Sequence, residues 1–404
     1  MSIIRLSLLE DGLYAPDEHG VITYDGPFSA RRGPDNRGLG NMGVLDRGAL
    51  PDARHPLTRH LDRALKTEAA SLPDDAAAGP VAILIHGFQF DPATARFCPP
   101  HHPKATNPHC RLYHFDEHDE AVEMRHHSTG WPRGLGFERD DAGRAGLAIG
   151  FGWDSNPSLF ESLFEHGLNH YAVAYNRAEV AAWHLVAVIE TLTRLAPGRR
   201  IDLFCHSLGS RVVLRALAQA ADPKVPDAIT ARLGRVIEAL DRVILLAGAE
   251  KVLEAQLMMT RLNRRTPDGP RFARVPDFYN IVSRENDVLD KLGENFGPAA
   301  PGSKQVIGHN GLEARDPSWV DIQLDDAAVA AWFRERGYTV SGDNESSLFA
   351  VLDHWIHYTW RDNMRIYRDI LRSRPDWTIA SLKAAPALFD RVRLNRGPGA
   401  VGFG

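Results

Sequence analysis

The sequence predicts an α/β fold in which helices flank a mostly parallel central sheet. Short apolar runs typical of buried parallel strands occupy residues 81–88, 146–153, 242–248 and 277–283, and a further run begins at residue 201. Helical patterns separate these runs. Alternation of this kind builds a sheet with helices on both faces, and its reactive loops gather at the carboxyl ends of the strands.

The composition fits a single domain over residues 1–404. The chain has 404 residues and 44% hydrophobic content, enough to bury a large core. A net charge of −5, with no basic stripe, argues against a nucleic-acid partner. No stretch approaches the ~18 consecutive apolar residues of a membrane span, so we expect no integral membrane segment. Three cysteines give no disulfide framework, which favours a cytoplasmic location.

The remaining elements follow along the chain. We predict that residues 1–79 form an N-terminal extension. It begins with a strand that ends at Glu10 and Asp11. Apolar residues at three-and-four spacing predict a long helix over 171–195, which Pro197 and Gly198 end. The sequence predicts further helical segments at 55–69, 210–221, 251–264, 321–338 (after a strand end) and 363–371.

Ser207 stands where an apolar strand passes through a small-residue turn into an amphipathic helix. The turn reads C-H-S-L-G from Cys205 to Gly209, a relative of the G-x-S-x-G nucleophile elbow. Such a turn exposes the hydroxyl at the sheet edge, and the helix aims its first N–H groups at the same point. A Ser-x-Gly turn at a helix start is also an ordinary N-cap, so the motif alone leaves both readings open.

Upstream, the apolar run 81–88 ends in His86-Gly87, and in this order the chain resembles the α/β-hydrolase superfamily. The resemblance covers residues 81–372. The segment 151–155, which contains Trp153 and Ser155, is similar to that of a set of uncharacterised bacterial hydrolases. The resemblance implies an oxyanion hole formed by the backbone N–H groups of Phe88 and Leu208.

The resemblance also implies an acid on the loop after the strand that ends at Ser283. Asp287 is the preferred residue there, with Glu285 and Asp290 as close rivals. Glu250, after the preceding strand, is a further alternative. Each of these carboxylates could instead cap a turn or a helix.

A histidine base is expected on a late loop, where Asp353-His354 resembles the family's terminal histidine motif. We prefer His354 to His357, which would then line the pocket. His309, in a glycine-bounded loop, is a weaker candidate. His86 and His206 are expected to brace the oxyanion loop and the elbow. Trp153 could border the pocket, or could be buried under the helix that follows it.

Residues 89–145 form a His-rich insertion that contains seven of the chain's 18 histidines, together with Cys98 and Cys110. Imidazole and thiolate are zinc ligands, yet the spacings match no zinc module. We therefore expect a polar lid over the active site, with no metal and no cofactor.

These residues predict a serine hydrolase that cleaves a small-molecule or lipid-like carboxylic ester through a Ser207–His354–Asp287 triad. Lipase, lactonase or amidase activity on the same triad is the alternative within the class. From a different class, the chain could be a non-catalytic metal-binding or interaction protein built on a hydrolase core.

Overall fold

The fold is described from a computed structural model, which covers residues 3–9, 12–15, 40–41, 45, 50–70, 79–92, 106–114, 130–137, 146–156, 170–224, 227–267, 269–283, 305–312, 316–340, 361–372 and 377–385. Within these residues a nine-stranded sheet has the strand order β11-β10-β7-β6-β4-β5-β1-β2-β3. The seven strands from β11 to β1 are mutually parallel, and β2 and β3 continue the sheet in antiparallel pairing. The predicted α/β fold with a mostly parallel sheet is confirmed.

The strands of the main sheet are Ile3–Leu9 (β1), Gly12–Ala15 (β2), Gly40–Asn41 (β3), Val81–Ile85 (β4), Leu147–Trp153 (β5), Ile201–His206 (β6), Leu240–Leu246 (β7), Asp277–Val282 (β10) and Trp319–Gln323 (β11). A separate hairpin pairs Arg265–Thr266 (β8) with Gly269–Pro270 (β9). The described helices are Pro56–Ala69 (α1), Pro108–Arg111 (α2), Trp131–Gly134 (α3), His170–Leu195 (α4), Gly209–Ala220 (α5), Asp227–Ala239 (α6), Val252–Leu262 (α7), Ile307–Asn310 (α8), Ala327–Arg334 (α9), Arg361–Leu371 (α10) and Ile379–Lys383 (α11).

The central strands are buried on both faces because helices cover them. Every residue of β4, β5 and β6 is buried. A strand with two covered faces needs apolar side chains at successive positions, which is why these strands appear in the sequence as continuous apolar runs. Helix α4 packs on α5 and α1, and 17 of its 26 residues are buried. None of the described helices combines the length and apolar character needed to cross a membrane.

The N-terminal extension contributes directly to the sheet. Strand β1 pairs with β5 in parallel register from Ile3 opposite Ala148 to Leu8 opposite Trp153. Helix α1 lies against α4, and the nearly buried carboxylate of Glu68 pairs with Arg199 just before β6. The described part of residues 1–79 is therefore integrated into the domain.

Two described segments of the His-rich insertion, residues 106–114 and 130–137, pack onto the sheet. Tyr113 lies against Gly150 of β5, where an added Cβ would come within 2.6 Å of the tyrosine ring. The Trp131 ring meets Phe204 of β6 edge-on at 5.1 Å. Both aromatic side chains are fully buried, so these segments belong to the core. For the residues of the insertion that lie outside the described ranges, the lid stays a prediction.

Two of the insertion's histidines have separate polar partners. His109 Nε2 is 2.8 Å from the hydroxyl of Ser7 on β1, and His114 Nε2 is 3.1 Å from the carbonyl of Arg111. Burial, with smaller effects from Arg5 and His86, lowers the pKa of His109 well below its ordinary value. His109 is therefore a neutral side chain that joins the insertion to β1.

Candidate active site

Ser207 occupies a strained turn between β6 and α5. Its φ is 50°, in the left-handed region that a non-glycine residue rarely adopts. The Ser207 N–H donates to the carbonyl of Leu246 (2.9 Å), at the end of β7. Its carbonyl accepts from the N–H groups of Ser210 and Ala249, both at 3.0 Å. Because both backbone polar groups are bonded, the surrounding strands and loops fix the backbone position of Ser207.

Two glycines allow the elbow and the loop after β4 to approach each other. A Cβ at Gly87 would lie 2.8 Å from the Cβ of Ser207. A Cβ at Gly209 would lie 2.5 Å from the carbonyl oxygen of His86. Both distances are too short for a real side chain. The absence of a side chain at both positions therefore brings the predicted oxyanion loop against the predicted nucleophile.

Backbone donors are available beside Ser207. Among the described residues, neither the Phe88 N–H nor the Leu208 N–H donates a hydrogen bond to a protein acceptor. Leu208 directly precedes α5, and the partial positive charge of the helix N-terminus acts at the same place. The two N–H groups that are predicted as oxyanion donors thus directly follow Gly87 and Ser207, and they donate to no acceptor within the described ranges.

The loop after β4 is braced by the residues that follow β5. The hydroxyl of Ser155 donates to the carbonyl of Gly87 (2.7 Å) and accepts from the N–H of Phe90 (3.0 Å). The backbone of Ser155 exchanges two further hydrogen bonds, one with Gln89 and one with Phe90. Ser155 is completely buried, so it holds this loop from within the core.

His86 and Trp153 form a second brace. The Nε2 atom of His86 accepts from the Trp153 backbone N–H (2.9 Å), which leaves the proton on Nδ1 to donate to the Gly87 carbonyl (2.9 Å). The Trp153 indole donates to the His86 carbonyl (3.0 Å), and the two rings stack with centroids 5.7 Å apart. Burial lowers the pKa of His86 to about 3. Trp153 is only 1% exposed, so it supports the loop after β4 from within the core.

Backbone strain is concentrated at this edge of the sheet. In the described part of the chain, the non-glycine residues with positive φ are Gln89 (69°), Ser207 (50°) and Ala247 (43°). They follow β4, β6 and β7, which are neighbouring strands. Conformations of this kind cost of order 1–3 kcal/mol each and persist where the surroundings impose them, often at functional sites.

Cys205 and Ser210 are buried neighbours of the elbow. The Cys205 thiol lies 3.6 Å from the Ser210 hydroxyl and 3.5 Å from the carbonyl of Ile244. Burial raises the pKa of Cys205 to about 12, so the thiolate required for nucleophilic chemistry is not formed near neutral pH. The Cys205 side chain therefore serves to pack the strand.

Glu250 is engaged in a buried ion pair beside the elbow. Its carboxylate receives Arg211 Nη1 at 2.9 and 3.1 Å, the Tyr175 hydroxyl at 2.9 Å and the Lys251 N–H at 2.9 Å. Burial raises the pKa of Glu250, against an opposing effect of Arg211. The Arg211 guanidinium also lies 3.4 Å above the Tyr175 ring. With its oxygens occupied in this way, Glu250 is a poor candidate to orient a histidine.

Sequence reasoning did not identify Arg211 and Tyr175 as parts of this site. The sequence carried only a weak indication that these two residues belong to the site. Arg211 is a charged residue four positions after Ser207, on a helix that is otherwise buried nearly throughout. A buried arginine requires an anionic partner, and the alternative acid Glu250 was the nearest strand-end carboxylate in the sequence.

The structure does not describe the predicted acid and base. Asp287, with its rivals Glu285 and Asp290, and both His354 and His357 fall outside the described residues. Among the described residues, no side chain is hydrogen-bonded to the Ser207 hydroxyl. His309 is on α8, which docks on the loop after β7 through the Gly308 N–H and the Gly248 carbonyl (2.8 Å).

Comparisons with known proteins bear on the fold and the family. No curated protein matches this sequence. Among solved structures, the chain is similar to one described as the crystal structure of the gene lin2722 products from Listeria innocua, with 11% identity, 74% of this chain and 95% of that chain covered, and a TM-score of 0.32. A family model described as "Alpha/beta hydrolase of unknown function (DUF900)" matches residues 68–273. This match spans half of the chain and includes β4, the loop after it, β6, the turn at Ser207 and α5. The chain therefore belongs to the α/β-hydrolase family of unknown function DUF900.

Proposed function

We propose that this α/β hydrolase cleaves carboxylic esters by acyl-enzyme chemistry, with Ser207 as the nucleophile. The observation that carries the proposal is the left-handed Ser207 between β6 and α5, beside backbone N–H groups of Phe88 and Leu208 that donate to no acceptor in the described part of the chain. An acyl-transfer site needs a fixed hydroxyl and donors directed at the oxygen on which charge develops. The elbow and the loop after β4 fit both requirements.

In the proposed reaction, the Ser207 oxygen attacks the ester carbonyl carbon while His354 takes the hydroxyl proton. Asp287 orients the imidazole and stabilises its protonated form. The carbonyl oxygen becomes an oxyanion that accepts from the Phe88 and Leu208 N–H groups. Collapse of this intermediate breaks the bond to the alcohol, which leaves with the proton from His354. Water, activated by the same histidine, then releases the acid and restores Ser207.

The contacts around the Ser207 turn favour a catalytic base that comes from another part of the chain. Both ring nitrogens of His86 are hydrogen-bonded, and its low pKa makes it a weak base. The carboxylate of Glu250 is occupied by Arg211 and Tyr175. These contacts favour Asp287 and His354 over candidates closer to the elbow.

The preference for an ester is an argument from analogy, since esters are the commonest substrates on this scaffold. An amide, a lactone or a lipid ester would undergo the same steps. A small-molecule or lipid-like ester is therefore the proposed partner, without a cofactor. Serine chemistry with an oxyanion hole requires no Lewis acid.

Covalent labelling with a fluorophosphonate probe tests the nucleophile. The wild-type protein should be modified at Ser207, as located by peptide mass mapping. Ser207→Ala should abolish the label and reduce ester turnover about 10³-fold or more while the protein stays folded. Ser210→Ala is the matched control, because Ser210 lies in the same turn but its hydroxyl is buried beside Cys205. Modification of another serine, or none, would exclude Ser207 as the nucleophile.

Four further variants test the acid and the base. His354→Ala should abolish ester turnover, whereas His357→Ala should leave a measurable fraction, since only one imidazole can take the proton. Asp287→Ala should cost more activity than Glu285→Ala but less than loss of the base. A reversed histidine result would make His357 the base. If neither histidine matters, His309 becomes the candidate.

A further inference from the structure

A cationic concavity lies at the opposite end of α5 from Ser207. It is open, measures about 650 Å³, and is lined by Asp222, Pro223, Lys224, Thr260, Arg261, Asn263, Arg264 and Arg271. Helix α5 starts two residues after Ser207 and has 12 residues, a length of roughly 18 Å. The concavity begins just beyond its last residue. It is therefore separate from the proposed catalytic site.

The cations of this concavity form no ion pair with a described residue. Four cationic side chains line it against one carboxylate, and within the described part of the chain none of the four is in a salt bridge. Many other arginines of the structure are paired, as Arg199 is with Glu68 and Arg215 with Glu179. In a chain with a net charge of −5, this is an unusual concentration of positive charge.

Helix capping accounts for two of the four cations. Arg261 donates to the carbonyl of Ala218 (3.2 Å), and Arg271 donates to the carbonyls of Ala221 (2.5 Å) and Asp222 (3.4 Å), so both bind the end of α5. Lys224 and Arg264 are exposed, and their side chains make no contact of this kind among the described residues. Capping therefore accounts for Arg261 and Arg271 but not for Lys224 and Arg264.

The charge balance favours an anion. The C-termini of α5 and α7 each contribute about −0.5 of a charge near the concavity. Counted over the lining residues and the two helix ends, four cations and one carboxylate leave a net positive charge of about two, and the Asp316 carboxylate, which accepts from the lining Asn263, lies beside them. Burial and the charge of Arg264 lower the pKa of Arg271, against an opposing effect of Asp222. A bound anion would relieve this repulsion.

We infer that this concavity is a binding site for a small ligand that carries two or more phosphate groups. Guanidinium groups match phosphate oxygens through paired, charge-assisted hydrogen bonds, and several cations around one concavity suit a multiply charged ligand. The cations are confined to one concavity and do not form a stripe, which argues against an extended nucleic-acid backbone. The phosphate could belong to a free metabolite or to a lipid headgroup.

Calorimetric titration of the full chain with pyrophosphate tests this inference. The wild-type protein should bind, and affinity should fall as salt concentration rises. Lys224→Ala combined with Arg264→Ala should weaken binding about tenfold or more, because two charge-assisted contacts are lost. Neither side chain supports the fold through a described contact, so the double variant should remain folded.

The charge-matched control is Arg235→Ala combined with Arg265→Ala, two exposed arginines outside the concavity. This control should bind pyrophosphate as the wild type does. Equal weakening of pyrophosphate binding in both double variants would show that the attraction between charges is unspecific. That result would overturn the proposed site. Loss of binding in Ser207→Ala would place the ligand at the catalytic serine and would also overturn it.

Co-sedimentation with vesicles that contain a phosphoinositide separates the two sources of phosphate. Vesicle binding that requires Lys224 and Arg264, without pyrophosphate binding, supports a lipid headgroup. Binding of pyrophosphate alone supports a free ligand. Binding of neither probe overturns the inference. None of these outcomes depends on ester turnover, so the result is independent of the proposed hydrolase activity.

Discussion

At the scale of single residues, the site depends on the absence of a side chain at Gly87. A methyl group there would overlap the Cβ of Ser207 at 2.8 Å and press on the His206 carbonyl at 3.1 Å. The neighbouring atoms are the Ser207 Cβ and the carbonyl oxygen and ring Nδ1 of His206, all in a buried turn. They have little room to move, so the substitution must displace either Ser207 or the Phe88 N–H.

Gly87→Ala should therefore slow fluorophosphonate labelling of Ser207 more than tenfold and destabilise the protein by about 1–3 kcal/mol, as overpacking does. Gly234→Ala is the matched control, because a Cβ at this position in α6 meets nothing within 4 Å. It should leave labelling unchanged. It should also raise the free energy of unfolding by as much as about 1 kcal/mol, because alanine has a higher helix propensity than glycine. Labelling kinetics and urea unfolding measure both effects. A Gly87→Ala protein that labels at the wild-type rate would contradict the proposed role of the loop.

At the scale of elements, the segment after β5 positions the loop after β4. Ser155 is the main link between them, since its hydroxyl bonds to both Gly87 and Phe90. Removing this hydroxyl leaves a buried carbonyl and a buried N–H without their partner. The two backbone hydrogen bonds of Ser155 would remain, so the loop should loosen without detaching.

Ser155→Ala should destabilise the protein by about 1–3 kcal/mol and also slow labelling of Ser207. Thr191→Val is a suitable control, because it removes a buried hydroxyl that bonds to a helical carbonyl in α4 (2.8 Å), remote from the loop. The control should lose some stability but label normally. Comparable labelling in the two variants, at matched stability, would show that Ser155 has no positioning role.

Elements were easier to predict from the sequence than contacts between them. The apolar runs predicted the central strands to within a few residues, because strands covered on both faces need apolar side chains throughout. The packing of the insertion on the sheet was not predictable, since the fit of Tyr113 over Gly150 joins residues far apart in the sequence. The same holds for the Arg211–Glu250 pair. The predicted acid and base, Asp287 and His354, remain predictions.

At the scale of the whole molecule, the two ends of the sheet differ in chemistry. The carboxyl ends of the strands carry Ser207 and its backbone donors. Near the amino ends of β6 and β7, Asp202 and Asp241 are buried among arginines, with Arg242 bonded to both carboxylates. Burial raises the pKa of Asp202 to about 7, although Arg242 opposes the shift. This acid therefore connects the stability of the core to pH.

The pKa of Asp202 predicts the direction of that dependence. In the unfolded chain an aspartate has a pKa of about 3.9, so between about pH 4 and pH 7 the folded protein holds a proton that the unfolded chain has released. The stability that this proton contributes is complete below pH 4 and is lost as pH rises to 7, with a slope of at most about 1.4 kcal/mol per pH unit. Asp202→Asn has no such proton. Urea unfolding across this range should show the wild type losing stability relative to the variant; parallel curves would contradict the assignment.

The position of β1 in the sheet has a consequence for synthesis on the ribosome. Ile3 pairs with Ala148, so the first described strand is made about 145 residues before its partner. At 5–20 residues per second, roughly 7–30 s pass before β5 exists. Throughout that time β1 can pair only with β2 and β3 of its own extension, and the edge that β5 will cover stays open. The nascent chain should therefore depend on chaperones until translation has passed β5, and slowing translation before residue 147 should increase aggregation more than slowing it afterwards.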